Sequence, residues 1–428
     1  MTQCARSVHS SDRKDAVTKK LAIAQFGGPT AVINSSLWGF FEGAGACEVI
    51  AAIGGPAGLL RGDLRRLRRS SEVPTSAGAE DEFFIDSTTA LLPGAWLGAG
   101  RYPLSEGDLN AIVRLLVGAG IDGLGLIGGN GTMHVANELD RRAVALDLGL
   151  NVIGVPKTVD NDLVGIDHAP GYLSAARFLI QAVRDLDLDH EAMSSIEQVR
   201  IIETLGRNTG WLALATTAAR AVTGGAPHLV YVPERPFDEE AFLRDVREAV
   251  DQHGRALVVV AEGIAASTTS PFDHALYDRP ISGGVGHRLA QTVEHRLGFG
   301  ARGEVLGLIQ RCASWSVSDL DRQEAYVLGR EAARLLSQDK SGVMVALAER
   351  QLGESSAASP PITVPLVEVA GRSRPVPRGW VPQPSGDPTE LLAWLEPLLA
   401  QADAPDDELV CRDARWSAQT STHDVGRL

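Results

Sequence analysis

The sequence predicts an α/β protein with doubly wound parallel sheets. Three observations lead there: strand-length apolar runs recur along the chain, glycine turns close several of them, and helix-period segments separate them. The first strand is LAIAQ at 21–25, ended by Gly27 and Gly28 and followed by a helical segment from about Ala31. VIAAI at 49–53 is a second. GLGLIGG at 123–129 leads into GTMHVANELDRRAVAL, NVIGV at 151–155 into PKTVDND, and RIIETLG at 200–206 into an alanine-rich helical stretch. HLVYVP (228–233), ALVVVAEG (256–263) and VMVAL (343–347) complete the buried strands. In the segment 239–252 the apolar Phe242, Val246 and Val250 recur every four positions, the spacing of one helix face. Continuous apolar strands alternating with such helices imply parallel sheets covered on both faces.

Two polar loops, ASTTSP (266–271) and ESSAASPP (354–361), interrupt this order, and composition changes near Arg372, where a proline-rich tail begins. Within it Asp387, Pro388 and Glu390 stand at N-cap, N1 and N3 of a short helix carrying Leu391, Leu392, Trp394, Leu395 and Leu398. The tail is expected to dock on the main body and cover a subunit surface. The first residues, 1–19, lack the apolar core of a secretory signal and read as a disordered tail, which makes the cytoplasm the expected compartment.

A chain of 428 residues is long enough for two or three compact domains. No run approaches the roughly 18 apolar residues needed to cross a bilayer, so no membrane association is expected. A net charge of −14 argues against a nucleic-acid partner bound over a basic face. Cys4, Cys47, Cys312 and Cys411 have neither disulfide-framework nor zinc-site spacing.

Four strand-end loops can carry chemistry. GGPTAVIN (27–34) is either a phosphate cradle or an ordinary strand-to-helix turn; bare backbone N–H groups at a helix start suit an oxyanion. GGNGTM (128–133) repeats the arrangement without being a Walker or dinucleotide motif. PKTVDNDL (156–163) sets Lys157, Thr158, Asp160 and Asp162 just past a strand, where doubly wound sheets bind ligands. Phosphoryl transfer needs cations on the moving group, a metal near carboxylate and a base at the acceptor hydroxyl, and this loop can supply all three. ETLGRNTGW (203–211) adds Arg207, a fork suited to phosphate or to a surface ion pair. Glu262, Arg302 and Arg311 are further strand-end polar residues. The histidines, His287 and His295 among them, form no metal spacing and read as core or surface residues.

Taken in order, GGPTAVIN, LGAGRY, IGGNGTM, PKTVDNDL, DHAPGY, ETLGRNTGW, VVAEG and VLGLIQRCA resemble the phosphofructokinase family over roughly residues 20–350, nearest its long bacterial branch with many pyrophosphate users. The resemblance implies two doubly wound, Rossmann-like domains: residues 20–171 with 310–350 binding the phosphoryl donor, and 172–309 binding substrate, with 351–428 as a C-terminal appendage. It implies transfer from ATP or pyrophosphate to the 1-hydroxyl of fructose 6-phosphate or a related sugar, with Mg2+ as cofactor. Asp160 would be the base, Thr158 would touch the transferring group beside Lys157, and Arg207 would balance transition-state charge. Gly28, Arg101, Gly129, Asn130, Gly131 and Thr132 would line the donor, with Asn130 and Asp160 near the metal. Asp162, Leu205, Gly206, Glu262, Arg302 and Arg311 would meet the sugar phosphate. Some of these ligands arrive from a neighbouring subunit in this family, which implies a homodimer or homotetramer.

The departures bear on donor and acceptor. Asn130 replaces the acidic residue of ATP-using members, Gly131 leaves room for a nucleotide, and Lys157 is the residue of pyrophosphate users; together they lean to ATP. Leu205 replaces a methionine, Leu308 a phosphate-binding histidine, and Gln198 falls near an arginine. Fructose 6-phosphate leads as acceptor, with a specialised sugar close behind. A NAD-kinase or lipid-kinase-like enzyme would share the glycine loop but leave PKTVDNDL unexplained. A non-catalytic sugar-phosphate-binding relative would have no need of the intact acidic loop.

Overall fold

The computed structural model describes residues 18–72, 81–264, 284–350 and 359–400, with the backbone of 275–276 and 279–280. The expected disordered tail, apart from residues 18 and 19, and the loop 266–271 lie outside the described residues. Among the described residues the strands are β1 Lys20–Gln25, β2 Glu48–Ala52, β3 Leu64–Arg69, β4 Glu82–Ile85, β5 Gly123–Gly128, β6 Asn151–Pro156, β7 Val199–Thr204, β8 Leu229–Tyr231, β9 Ala256–Ala261, β10 Ala275–Leu276, β11 Arg279–Pro280, β12 Ala301–Val305, β13 Val343–Leu347 and β14 Pro361–Pro365.

Two main sheets result. The larger runs β14-β13-β6-β5-β1-β2-β3-β4 and the smaller β12-β7-β9-β8, with β10 and β11 pairing only with each other. The smaller sheet is parallel throughout. In the larger, β2, β1, β5, β6 and β13 are parallel, but β3 runs antiparallel to β2 and β14 antiparallel to β13. The expected parallel sheets are present, and the larger one carries antiparallel pairs toward its edges. LRRLRR buries only Leu67 and reads as polar surface, and PITVP, at the end of the expected loop 354–361, has proline at both ends, a composition that an edge strand tolerates.

Each sheet has its own core. One gathers the apolar faces of β1, β2, β5, β6 and β13 with Leu328, Ala332 and Leu336 from the Asp319–Ser337 helix. The other gathers β7, β8 and β9 with Tyr172, Leu173 and Leu179 from the Tyr172–Met193 helix. The C-terminal segment belongs to both. Its β14 and Leu366 extend the first core, whereas Val376, Val381, Leu391, Trp394, Leu395 and Leu398 are buried in the second. Full burial of each large apolar side chain stabilises by roughly 1.5–3 kcal/mol, so the Thr389–Ala400 helix is an integral part of that core. Asp387, expected as its N-cap, instead accepts a hydrogen bond from Arg220 at 2.7 Å.

Parallel pairing sets the functional loops side by side. The register joins Gln25 to Ile127 and Gly128 to Pro156, so the GGPTAVIN, GGNGTM and PKTVDNDL loops leave the same sheet edge. Across the cleft, Thr204 pairs with Ala261, which puts ETLGRNTGW beside Glu262.

Candidate active site

On the larger-sheet side, Lys157 is buried and donates from Nζ to the Gly28 carbonyl at 2.6 Å. Burial, then the charge of Arg311, pulls its ammonium down to about 8 against the pull of Asp160. The Arg311 guanidinium lies close on the Gly28 backbone: a Cβ there would stand 3.1 Å from its Nη1, and the arginine would have to give way slightly. The Gly27 N–H donates to Gly100 O at 2.9 Å, which brings Arg101 next to this loop. Gly129 precedes the Asn130–Ala145 helix, with Asn130 half-buried, Gly131 exposed and Thr132 packed over Gly128. The start of a helix carries the positive end of its dipole, which favours anions, and the Thr132 and Met133 N–H groups donate to the Gly129 carbonyl.

The acidic loop is tightly built. Thr158 Oγ1 accepts from the Asp160 N–H at 3.1 Å, and the Asp160 carbonyl accepts from Thr209 Oγ1 at 3.0 Å. Asn161 between the two carboxylates is fully buried with φ +53°, and its Oδ1 accepts from the Ala169 N–H at 3.0 Å. Burial raises the Asp160 carboxyl even though Arg311, Arg207, Lys157 and Arg101 pull it down. Asp162 is pushed up to about 6 by burial and by the charge of Asp160, while Asn130 Nδ2 donates to its Oδ2 at 3.4 Å. Asn130 also donates to the Arg372 carbonyl, so its Oδ1 is the atom left for a ligand.

From the smaller sheet, the Leu205 N–H donates to Gln310 Oε1 at 3.0 Å, Gly206 turns at φ +112°, and Arg207 follows. A Cβ on Gly263 would overlap the Arg207 carbonyl at 1.6 Å, so the Glu262–Gly263 pair is what lets the Arg207 loop close down. Burial, then Asp160, raises Glu262 to about 7, against Arg207 and Arg311. Lys157, Asp160, Arg207, Glu262 and Arg311 thus share one electrostatic cluster between the sheets. Phosphoryl transfer wants this composition: several cations around a carboxylate whose proton affinity has been raised.

Arg302 stands apart. It sits near the start of β12, opposite Arg200 in register, and its Nε donates to Glu197 Oε2 at 2.9 Å. Gln198 is at the same sheet end, its side chain bonded to Gly300 N at 2.8 Å and Ser195 O at 3.3 Å. Leu308 is 65% exposed. Sequence reasoning missed the residues that hold the cluster together. Gln310, Thr209 and the buried Glu203, which accepts from Gly284 N at 3.0 Å and Gly286 N at 2.9 Å at a helix start, act through the backbone and leave no spacing signal. Among the described residues no three His, Cys, Asp or Glu side chains are grouped to hold a metal by themselves, and no helix is long and apolar enough to cross a membrane.

The phosphofructokinase profile matches residues 20–336. The chain belongs to the phosphofructokinase family. Within it, the chain is 38% identical over 328 residues to a sulfofructose kinase of Alkalicoccus urumqiensis, covering 76% of this chain and 82% of that one. It is 31% identical over 404 residues to a pyrophosphate–fructose 6-phosphate 1-phosphotransferase of Rhodospirillum rubrum, covering 89% and 94%. Among solved structures, the pyrophosphate-dependent phosphofructokinase of Nitrosospira multiformis superposes with TM-score 0.77 at 26% identity, covering 92% and 95%. The fold is thus of phosphofructokinase type and the chain is a sugar phosphotransferase.

Proposed function

We propose that this phosphofructokinase-family enzyme is a cytoplasmic, Mg2+-dependent homo-oligomeric kinase that moves the γ-phosphoryl group of ATP to the 1-hydroxyl of a fructose bearing a sulfonate at its 6-position. The observation that carries this reading is the weakened anion pocket. Where the family resemblance puts a phosphate-binding arginine and histidine stand Gln198 and Leu308, and Arg302 is paired with Glu197. A sugar phosphate with a second pKa near 6 is largely dianionic at pH 7, whereas a sulfonate carries a single charge. Each missing charge-assisted hydrogen bond removes about 1.5–3 kcal/mol from a dianion, a factor of roughly 10 to 100 in affinity. The sulfofructose kinase relative supports the same acceptor.

In this reading the acceptor hydroxyl attacks the γ-phosphorus, its proton passes to Asp160, and ADP leaves. Lys157, Thr158, Gly28, Arg101, Gly129 and Thr132 line the donor, Gly131 leaves the nucleotide room, and Arg207 balances the developing charge. Glu262, Leu205 and Gly206 face the sugar. Arg311 meets the acceptor's anion. Two adjacent carboxylates, one raising the other, are a donor set that suits a hard dication. Asp160, Asp162 and Asn130 would hold Mg2+, which neutralises charge on the donor phosphates.

Three measurements test this. Steady-state assays of the purified enzyme with both acceptors and with ATP or pyrophosphate should give the highest kcat/KM for the sulfonate with ATP; a lead for pyrophosphate would overturn the donor assignment alone. The double substitution Gln198→Arg, Leu308→His should move the kcat/KM ratio at least tenfold toward fructose 6-phosphate, and an unmoved ratio would remove these positions from the acceptor pocket. Donor binding should also weaken with pH. The Lys157 ammonium is depressed to about 8, and a polyphosphate favours its protonated form. Donor KM should therefore rise above pH 8 by up to about tenfold per unit, and the slope should vanish in Lys157→Gln.

A further inference from the structure

Arg374 lies beyond residues 20–336, the segment common to the family, yet it grips the acidic loop. Its guanidinium donates from Nη1 to the carbonyls of Ile166 and Asp167 and from Nη2 to the Asn161 carbonyl at 3.3 Å. Its own N–H donates to the Asp162 carbonyl at 2.8 Å. The plane is seated 4.7 Å over the Trp211 ring, and Trp211 Nε1 donates to the Arg374 carbonyl at 3.2 Å. The guanidinium Nε is buried without a partner, so the fork meets these carbonyls at the expense of its third edge.

The gripped peptide is unusual. Asn161 is held at φ +53°, a left-handed conformation that is strained for a residue other than glycine and persists only where its surroundings impose it. It is also the residue between the two carboxylates, so rotation of its peptide would swing Asp160 and Asp162 together. We infer that Arg374 is a positioning residue for phosphoryl transfer, reaching in from the C-terminal segment to fix the Asn161 peptide and aim both carboxylates into the cleft. This rests on the reading of Asp160 as the base. Lysine cannot substitute, because a point charge reaches fewer of the three carbonyls than a planar fork does.

The test uses the full-length chain with Arg374→Lys and Arg374→Ala, each checked for fold by circular dichroism and melting, with Asp160→Asn alongside. In folded Arg374→Lys, kcat should fall at least thirtyfold while KM for donor and acceptor stays within about threefold, and millimolar guanidinium should restore part of the kcat of Arg374→Ala. If Arg374→Ala does not fold, Arg374→Lys decides alone. A folded variant with kcat within threefold of the parent, even with a lowered melting temperature, would overturn the inference and leave Arg374 a purely structural clamp. Activity retained in Asp160→Asn would instead overturn the base assignment on which it rests.

Discussion

Replacing Asp160 with asparagine is expected to lower kcat by about 10³-fold or more while leaving the fold intact. The side chains are nearly isosteric, and the interactions that hold this residue are made by its backbone: its N–H to Thr158 and its carbonyl to Thr209. What is lost is the proton acceptor and one charged oxygen toward Mg2+, with the amide oxygen left as a neutral ligand and the metal kept saturating in the assay. Burial already raises the carboxyl's proton affinity against the pull of Arg311, Arg207 and Lys157, and a stronger base suits removal of a hydroxyl proton. Arg311, Arg207 and Lys157 lose a neighbouring negative charge, so KM for the anionic substrates should hold or fall. The loss should therefore be confined to kcat, read by initial rates at saturation with an unchanged melting curve. A rate within tenfold of the parent would remove Asp160 as base.

Replacing His168 with alanine should be the largest stability defect, about 3–5 kcal/mol. This imidazole is fully buried between two carboxylates, Asp167 Oδ2 at 2.8 Å and Glu324 Oε2 at 2.6 Å. Burial alone would lower its pKa, but Glu324 and Asp167 outweigh it and raise the ring to about 9. Asp167, held well below the usual carboxylate range against its own burial by His168 and Arg350, also accepts from the Arg350 N–H at 3.0 Å and Trp394 Nε1 at 3.2 Å. One imidazolium thus ties the acidic loop to the Asp319–Ser337 helix and the C-terminal helix. Because the folded pKa lies above the unfolded 6.5, its contribution is fully present below pH 6.5 and is lost as pH rises through about 9. Melting temperature should fall over that window in the parent and less so in His168→Ala; a parent curve flat from pH 6.5 to 9 would contradict the ion pairing.

The strands that build the cleft were legible because they are buried on both faces and read as continuous apolar runs, from LAIAQ to ALVVVA. β3, β4, β12 and β14 were not, since ARGEV and LRRLRR carry charge at alternate or paired positions and bury little. The loops at the strand ends were legible for the same reason as the central strands: glycine and acidic residues stand directly after an apolar run. Arg374 and His168 escaped notice. A single arginine in GRSRPVPRGW has no period to mark it, and a histidine between two carboxylates is recognisable only when Glu324, 156 residues away, is brought alongside. The tail, expected to dock on the main body, threads this chain's two cores, because its apolar residues are divided between Leu366 and Val369 on one side and the Trp394 face on the other.

The most direct test of the central claim is an internal competition. Equal concentrations of the 6-sulfonate and 6-phosphate forms of fructose are mixed with ATP, Mg2+ and enzyme, and the two 1-phosphorylated products are resolved by phosphorus NMR before either acceptor is depleted. Their ratio reads the ratio of kcat/KM. An excess of the sulfonate product by tenfold or more is the result expected from Gln198, Leu308 and the Arg302–Glu197 pair. An excess of fructose 1,6-bisphosphate would contradict it and return the enzyme to the family's phosphate-bearing acceptor.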